Sequence, residues 1–314
     1  MSDKILVTGA LGQIGSDLIS ELQEEDGKEN VIALDYNDFP EDYEGPTEKA
    51  DVRDRDELES LWKEHEFEEV YHLASLLSAT GEKHPDMAWN INMDGLKNVL
   101  DLCKEYESRL FWASSIAVFG PTTPKNNTPQ RTVLEPITMY GVTKVSGELL
   151  CQYYNEKYGV DVRSLRYPGL ISWKEKPGGG TTDYSVEMFY KAIEGEDYTF
   201  FVRPDTKLPM MYMDDAIRGT LELMKADEDD ISIRTSYNFS ALNFEAKELE
   251  EEIKKHYPEF EVKYEEDERQ KNADSWPDSV DDSKAKDDWN WKPNYDLAKM
   301  TEDMIENLKR KIDH

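Results

Sequence analysis

Apolar runs alternate with amphipathic segments through the first half of the chain, and this alternation limits its fold more than any other feature. The runs that we predict as strands are 4–9, 31–35, 69–74, 109–115 and 160–167. The predicted helices lie between them, near 13–25, 55–66, 85–107 and 138–158. Parallel strands joined by helices need right-handed crossovers, which place helices on both faces of one sheet. The sequence therefore predicts an α/β fold with a doubly wound parallel sheet.

The pattern changes after Tyr167 to longer loops and shorter elements, although 213–225 is again a clear amphipathic helix. A chain that returns to its first layer in this way has interleaved domains. We predict a sheet domain of 1–168 and 210–235, and a smaller, interleaved C-terminal capping domain of 169–209 and 236–314.

Composition excludes several classes of protein. The 314 residues contain no apolar run near the roughly 20 residues that a bilayer span needs, and 1–9 lack the basic start of a secretory signal, so we expect a cytoplasmic protein. A formal net charge of -31 disfavours binding to nucleic acid or anionic membranes. Cys103 and Cys151, the only cysteines, form no metal-ligand motif, so no metal and no disulfide are expected.

A glycine-rich turn, TGALGQIG, joins the first predicted strand to the first helix and contains Gly9, Gly12 and Gly15. Such a turn lets backbone N–H groups and a helix N-terminus approach a pyrophosphate, although ordinary turn chemistry is the alternative.

Asp35 ends the second strand, 20 residues after Gly15, where a carboxylate can bind the adenosine ribose of NAD and repel the 2'-phosphate of NADP. It could instead simply form a turn. Asp51 is a further candidate, for the adenine amino group. A Rossmann domain that binds NAD is therefore expected.

Three polar side chains form a candidate catalytic set. Ser115 ends the fifth strand, and Tyr140 and Lys144 share one face at the start of the next helix. A tyrosine titrates near 10, and a neighbouring ammonium favours the phenolate that could remove an alcohol proton. The alternative for an isolated YGVTK is a chance pair on a solvated helix, but the preceding nucleotide signals favour catalysis.

The motifs TGALGQIG, DVRD, HLAS, NINMDGLKNVL, SSIAVFG and YGVTK resemble the extended short-chain dehydrogenase/reductase family over essentially the whole chain. Longer stretches, such as RYPGLISWKEKPGGGTTDY and DSWPDSVDDS, resemble its NAD-dependent L-threonine 3-dehydrogenase branch. The resemblance implies NAD as cofactor, a Ser–Tyr–Lys catalytic set and a homodimer. The cofactor-binding residues that it implies are Gly9, Gly12, Gln13, Ile14, Gly15, Asp35, Asp51, Val52, Leu73, Ala74, Ser75, Asn92, Tyr140, Lys144 and Tyr167.

The same resemblance implies a substrate site. Ser78, in the loop after the fourth strand, and Thr182 would contact an amino acid together with Ser115 and Tyr140, Gly180 would let its loop approach, and Trp276 would close the pocket. Helix capping, a flexible connection and cap packing are the alternatives. Ala113 departs from the family pattern, which commonly has Pro at this position beside the catalytic set.

Together with the candidate catalytic set, the resemblance implies an enzyme that oxidises L-threonine to 2-amino-3-oxobutanoate with NAD, without a metal and with Tyr140 as base. A nucleotide-sugar epimerase or dehydratase on the same scaffold is the alternative enzyme, and an inactive NAD-binding sensor is the non-enzymatic one. For the dimer, we predict that apolar positions on the helices near 85–107 and 138–158 meet across the interface, and the alternative is that all of them face the sheet. These positions are Leu96, Val99, Leu100, Cys103, Leu149 and Leu150.

Overall fold

The apolar runs of the first half form strands, as predicted. The computed structural model describes residues 4–174, 178 and 180–313. The strands are β1 Lys4–Thr8, β2 Val31–Asp35, β3 Thr47–Lys49, β4 Phe67–His72, β5 Arg109–Ser115, β6 Val162–Tyr167, β7 Gly169–Ile171, β8 Tyr198–Phe200, β9 Lys207–Tyr212, β10 Tyr237–Asn238, β11 Leu242–Glu245 and β12 Val262–Tyr264.

The helices follow the amphipathic segments. They are α1 Gln13–Asp26, α2 Arg55–His65, α3 Ser78–Lys83, α4 Pro85–Trp89, α5 Gly95–Tyr106, α6 Met139–Tyr158, α7 Tyr184–Glu194, α8 Met213–Lys225, α9 Ala246–Lys254, α10 Arg269–Ser275, α11 Ser283–Trp289 and α12 Leu297–Asp313. A π-helical segment, Asn90–Asp94, joins α4 to α5, and short 3-10 turns occupy Lys28–Asn30, Ile116–Val118 and Glu228–Asp230. Within the described part of the chain, every helix is too short or too polar to cross a membrane.

Seven strands form the central sheet in the order β10-β6-β5-β4-β1-β2-β3. β1 pairs in parallel with β2 and β4, and β4 pairs in parallel with β5. In this register Thr8 lies opposite both Leu34 and His72, and His72 lies opposite Trp112. The carboxyl ends of four strands therefore meet at one edge, where doubly wound sheets bind their ligands. The predicted fold class is confirmed.

The chain divides into two compact units, the first of Met1–Val118, Thr138–Arg166 and Thr220–Tyr237, the second of Phe119–Ile137, Tyr167–Gly219 and Asn238–His314. The units differ from the predicted domain bounds mainly at two segments, because 119–137 and 210–219 belong to the second unit, and by two residues each at 167–168 and 236–237. β9 explains the place of 210–219, since it pairs with β7 and β11 in a separate three-stranded sheet. A two-stranded sheet of β12 and β8 completes the second unit.

One layer of the first unit's core lies between the sheet and helices α2, α5 and α6. It contains four of the residues that we predicted at a dimer interface, Leu96, Val99, Leu100 and Cys103, and Leu150 packs against it. The predicted interface position was wrong for these four residues. They lie on the face of α5 that packs against the core of the first unit, so they are not available to a second chain. Leu149 alone among the six is exposed.

Candidate active site

The glycine turn after β1 forms a tight cradle at the start of α1. Gly9 has φ +71°, a conformation that favours glycine, and its carbonyl accepts a hydrogen bond from the Gly12 N–H at 3.0 Å. A Cβ at Gly15 would clash with the carbonyl of Gly9. No described side chain caps the helix at Gly12, so the first-turn N–H groups near Gln13 and Ile14 are left to bind an anion.

Asp35 lies beside this cradle, at the end of β2. Its buried carboxylate accepts hydrogen bonds from the N–H of Leu11 at 3.1 Å and from the N–H of Asn37 at 3.0 Å. The carboxylate therefore supports the glycine loop and also forms the turn that we weighed as its alternative role. An adjacent pocket of about 510 Å³ is lined by 36–38, 49–51 and Glu57.

Asp51, in the wall of that pocket, is held by Arg53. The Arg53 Nε donates to both Asp51 carboxylate oxygens, at 2.9 and 3.0 Å, and this hydrogen bonding lowers the pKa of the Asp51 carboxyl. Val52 next to it is buried. The cradle, the carboxylate of Asp35 and the pocket fit the pyrophosphate and adenosine parts of a dinucleotide.

The fold brings the three predicted catalytic residues together. Ser115 is the last residue of β5, and α6 begins just before Tyr140, with Thr138 capping it by accepting the Gly141 N–H at 3.1 Å. The Ser115 side chain neighbours that of Tyr140 and lowers the pKa of its hydroxyl. The Lys144 Nζ lies 5.2 Å from the centre of the Tyr140 ring and donates to the carbonyl of Ala113 at 2.7 Å.

Burial shifts both titrating groups of this set toward their neutral forms. It raises the pKa of Tyr140 to about 12, while the neighbouring Ser115 hydroxyl lowers it. It lowers the pKa of Lys144 to about 7, against the opposing effect of the neighbouring Cys151 and Glu148 side chains. The structure adds one point to the sequence prediction, because Lys144 titrates close to neutral pH. Nearby groups therefore decide whether Lys144 carries the positive charge that favours the Tyr140 phenolate.

Two buried polar residues organise the neighbouring strand ends. His72 ends β4, its Nδ1 lies 2.8 Å from the Thr8 Oγ1, and burial together with the charge of Lys144 lowers its pKa to about 3, so the ring is neutral. Asn92 accepts the Leu76 N–H at 2.7 Å and donates to Thr143 Oγ1 at 3.1 Å. It thereby ties the loop after β4, with Leu73, Ala74 and Ser75, to α6. Asn92 therefore has a structural role in this loop, and its role in cofactor binding stays a prediction.

The predicted substrate residues lie in both units. Ser78 is not a loop residue as expected, because it opens α3, and it belongs to the first unit with Ser115 and Tyr140. Gly180, Thr182 and Trp276 belong to the second unit. Residue 179 of the GGGTTDY segment lies outside the described residues.

Within the second unit, local contacts fix these positions. The Gly180 N–H donates to Asp183 Oδ2 at 2.6 Å, and the Thr182 carbonyl accepts the Ser185 N–H at 3.1 Å, so both residues lead into α7. Trp276 is buried, and its carbonyl accepts from Lys125 Nζ at 2.5 Å. Tyr167, at the end of β6, packs edge-on against Phe239 at 6.1 Å. The ligand roles of these residues stay predictions.

Sequence reasoning missed the groups that surround Lys144, which include His72, Glu148 and Arg166. Glu148 follows Lys144 by one helical turn, and that spacing was the one available signal. Among the residues that the structure describes, no group of three or more His, Cys, Asp or Glu side chains converges as a metal site would require. Metal independence stays a prediction.

Comparison with known proteins identifies the family. A model of the NAD dependent epimerase/dehydratase family matches residues 5–238. An uncharacterized epimerase/dehydratase of Staphylococcus haemolyticus is 48% identical over 313 residues, which are 98% of each chain.

Two solved structures carry more specific names. L-threonine dehydrogenase from Clostridium difficile is 48% identical, with a TM-score of 0.97 over 99% of this chain and 98% of that one. A monomeric L-threonine 3-dehydrogenase from a metagenome is 53% identical, with a TM-score of 0.95 over 98% and 99% of the two chains. On the family match and these full-length similarities, the chain belongs to the NAD dependent epimerase/dehydratase family.

Proposed function

We propose that this chain oxidises L-threonine to 2-amino-3-oxobutanoate and reduces NAD to NADH. The observation that carries the proposal is the full-length match to the two solved L-threonine dehydrogenases, at 48% and 53% identity. The site agrees with it, because an alcohol oxidation needs a base beside the reacting hydroxyl, and the fold places Tyr140 at the start of α6 near Ser115 at the end of β5.

In the proposed reaction, Tyr140 Oη accepts the proton of the threonine side-chain hydroxyl, and Ser115 hydrogen-bonds the same hydroxyl and orients it. When bound, NAD would supply the acceptor for the hydride of the carbon that carries this hydroxyl, and the product would be a ketone. Lys144, protonated, favours the phenolate form of Tyr140 through its positive charge. Proton removal is therefore expected to become easier with rising pH, until Lys144 itself loses its proton.

Cofactor binding is assigned to the first unit. We assign the pyrophosphate to the backbone of Gly9, Gly12 and Gly15 and the N-terminus of α1, the adenosine ribose to Asp35, and the adenine amino group to Asp51. Lys144 would bond the nicotinamide ribose. Ser78, Gly180, Thr182 and Trp276 are assigned to the amino acid substrate, and these roles rest on the resemblance of their motifs.

A nucleotide-sugar epimerase or dehydratase is the second candidate, since the family name covers it. The bidentate fork of an arginine is the side chain best suited to hold a sugar diphosphate. The acidic stretch 244–288 contains one arginine, Arg269. The Arg269 Nε donates to Asp267 at 3.1 and 3.0 Å, and its guanidinium lies over the Phe201 ring, so it is already engaged. This observation favours the amino acid.

We further propose that the protein is a cytoplasmic homodimer. Exposed apolar side chains on α4 and α6 support an interface there, namely Met87, Trp89, Val142, Leu149 and Tyr153. The oligomeric state needs its own test, because one solved relative is named as monomeric.

Absorbance of NADH tests the proposed activity. The purified protein with NAD should form NADH from L-threonine, form it more slowly from L-serine, whose side chain lacks the methyl group, and form none from a UDP-sugar. Conversion of a UDP-sugar without any oxidation of L-threonine would contradict the proposal and favour the epimerase.

A further inference from the structure

We propose that Glu148 is a positioning residue of the active site, which supports the positive charge of Lys144 and fixes α6 against the catalytic end of β5. The part of the inference that concerns catalysis rests on the proposed function. The contacts of Glu148 and the measurement of the Lys144 pKa do not depend on which substrate is oxidised.

The contacts of Glu148 join three elements beneath the catalytic residues. Its side chain is 1% exposed and lies four residues after Lys144 and eight after Tyr140, on one face of α6. Oε1 accepts hydrogen bonds from Ser114 Oγ at 2.7 Å and from Arg166 Nε at 2.8 Å, and Oε2 accepts from Arg166 Nη2 at 2.7 Å. A bidentate pair of this kind fixes both partners in direction as well as distance.

Ser114 links this pair directly to the reacting groups. It lies between Ala113, whose carbonyl accepts a hydrogen bond from the Lys144 ammonium, and Ser115, which neighbours Tyr140. The helix touches the strand at the same level, because a Cβ at Gly147 would clash with the Trp112 ring. A shift of Glu148 would therefore move α6 relative to the strand end that carries Ser115.

Glu148 also supplies the negative charge in the surroundings of Lys144. The titratable and charged groups that face Lys144 are Tyr140, Glu148 and Cys151 on α6, His72 on β4 and, through Glu148, Arg166 on β6. Burial raises the pKa of the Cys151 thiol and of Tyr140, and His72 is neutral, so these three carry no charge at neutral pH. The carboxylate of Glu148 therefore offsets the burial that lowers the pKa of Lys144 to about 7.

The variant Glu148→Gln tests the charge, because it keeps the shape of the side chain and its Oε1 acceptor. The pKa of Lys144, read from the Cε resonance of carbon-13-labelled lysine in the protein without ligand, should fall by about half a unit or more. The resonance is assigned by its absence in Lys144→Met. With L-threonine, the rising limb of the kcat/KM profile should move to higher pH by a similar amount, because Tyr140 loses the support of the ammonium.

Glu156→Gln is the matched control, since it removes one carboxylate two turns further along the same helix, where Glu156 is exposed and accepts from Gln152 at 2.6 Å. It should leave both readings unchanged. An unchanged Lys144 pKa in a folded Glu148→Gln protein would overturn the proposal. If L-threonine is not oxidised by the wild type, the resonance alone still decides about Glu148, and only the proposed function fails.

Glu148→Asp tests the positioning, and it serves if the glutamine variant does not fold. It keeps the charge, but its shorter side chain cannot hold Ser114 and the Arg166 fork together. We expect kcat to fall about threefold or more while the shape of the pH profile is retained. A wild-type kcat in this variant would contradict the positioning role.

Discussion

Tyr140 carries the proposed proton transfer, so its hydroxyl is the most direct target at the scale of single residues. Tyr140→Phe keeps the ring beside Lys144 and removes the base. We expect kcat to fall by roughly two to four orders of magnitude, the usual range for a lost general base. The affinity for NAD, measured by titration of protein fluorescence, should change little. A variant with near-normal kcat would remove Tyr140 from the mechanism.

His72 predicts a pH dependence of stability. Its pKa is about 3 in the folded protein and 6.5 is its ordinary value, so between these values only the unfolded chain binds the proton. The stability that the neutral ring contributes is complete above pH 6.5 and is lost as the pH falls toward 3. The loss amounts to about 1.4 kcal/mol per pH unit.

The variant His72→Asn isolates this contribution, because it keeps a polar group near Thr8 that does not titrate. Denaturant unfolding of both proteins at several pH values should give a constant difference in free energy above about pH 6.5 and a shrinking one below it. A difference that is independent of pH would show that His72 is not neutral in the fold.

The sequence was sufficient to predict that Ser115, Tyr140 and Lys144 lie near one another, because each has a fixed place relative to a strand or helix end. It could not predict the group that supports Lys144. Glu148 is separated along the chain from Ser114 by 34 residues and from Arg166 by 18, and only the packing of α6 on β5 and β6 brings the three side chains together. The low pKa of Lys144 likewise results from burial, which a local motif does not contain.

At the scale of elements, the end of β2 is expected to select the cofactor. Asp35 should make the protein bind NAD more tightly than NADP by about tenfold or more, because its carboxylate repels a 2'-phosphate. Asp35→Asn keeps an acceptor for the Leu11 N–H but removes the charge, so the ratio of the two dissociation constants should narrow.

Asp38→Asn is the control for this experiment. Asp38 lines the neighbouring pocket, its carboxylate is exposed and paired with Lys49 at 2.5 Å, and its loss should leave the ratio unchanged. Equal affinity of the wild type for NAD and NADP would exclude Asp35 from the ribose site.

The sequence predicted whether a segment is a helix or a strand better than it predicted breaks within a helix or which partner an apolar helix face packs against. β2 and β5 have the predicted bounds, and α6 starts one residue later than expected. The single helix predicted for 85–107 contains the π-helical segment Asn90–Asp94, where Asn92 binds the loop after β4. Periodicity does not reveal a local change of hydrogen bonding of this kind. Nor does it distinguish an apolar face that meets the sheet, as Leu96 and Val99 do, from one that meets another chain.

At the scale of the whole molecule, the proposed dimer can be tested through α6. Leu149 and Tyr153 are 59% and 50% exposed and lie one turn apart on α6. If this face is buried between two copies, a charged side chain placed there would destabilise the dimer. We expect the wild type to be a dimer at micromolar concentration by light scattering and Leu149→Lys to be a monomer. Ile312→Lys, at an exposed position on α12, should remain dimeric. A monomeric wild type would contradict the proposed interface.

The division into two units was only partly predictable, for a similar reason. The change of pattern after Tyr167 and the return at α8 indicated interleaved segments. However, β9 reads as one more apolar strand, and its place in the small sheet depends on partners, β7 and β11, that lie some 30 to 40 residues away in the chain. Long-range pairing of this kind has no local signature in the sequence.

The fate of the hydrogen on the hydroxyl-bearing carbon tests the central claim most directly. L-threonine deuterated at C3 and incubated with NAD and the protein should give NADH that contains one deuterium by mass spectrometry, and Tyr140→Phe should form this labelled NADH roughly two to four orders of magnitude more slowly. L-threonine deuterated at C2 should give unlabelled NADH. Unlabelled NADH from the C3-deuterated substrate, or no NADH from L-threonine at all, would contradict hydride transfer from the threonine side chain.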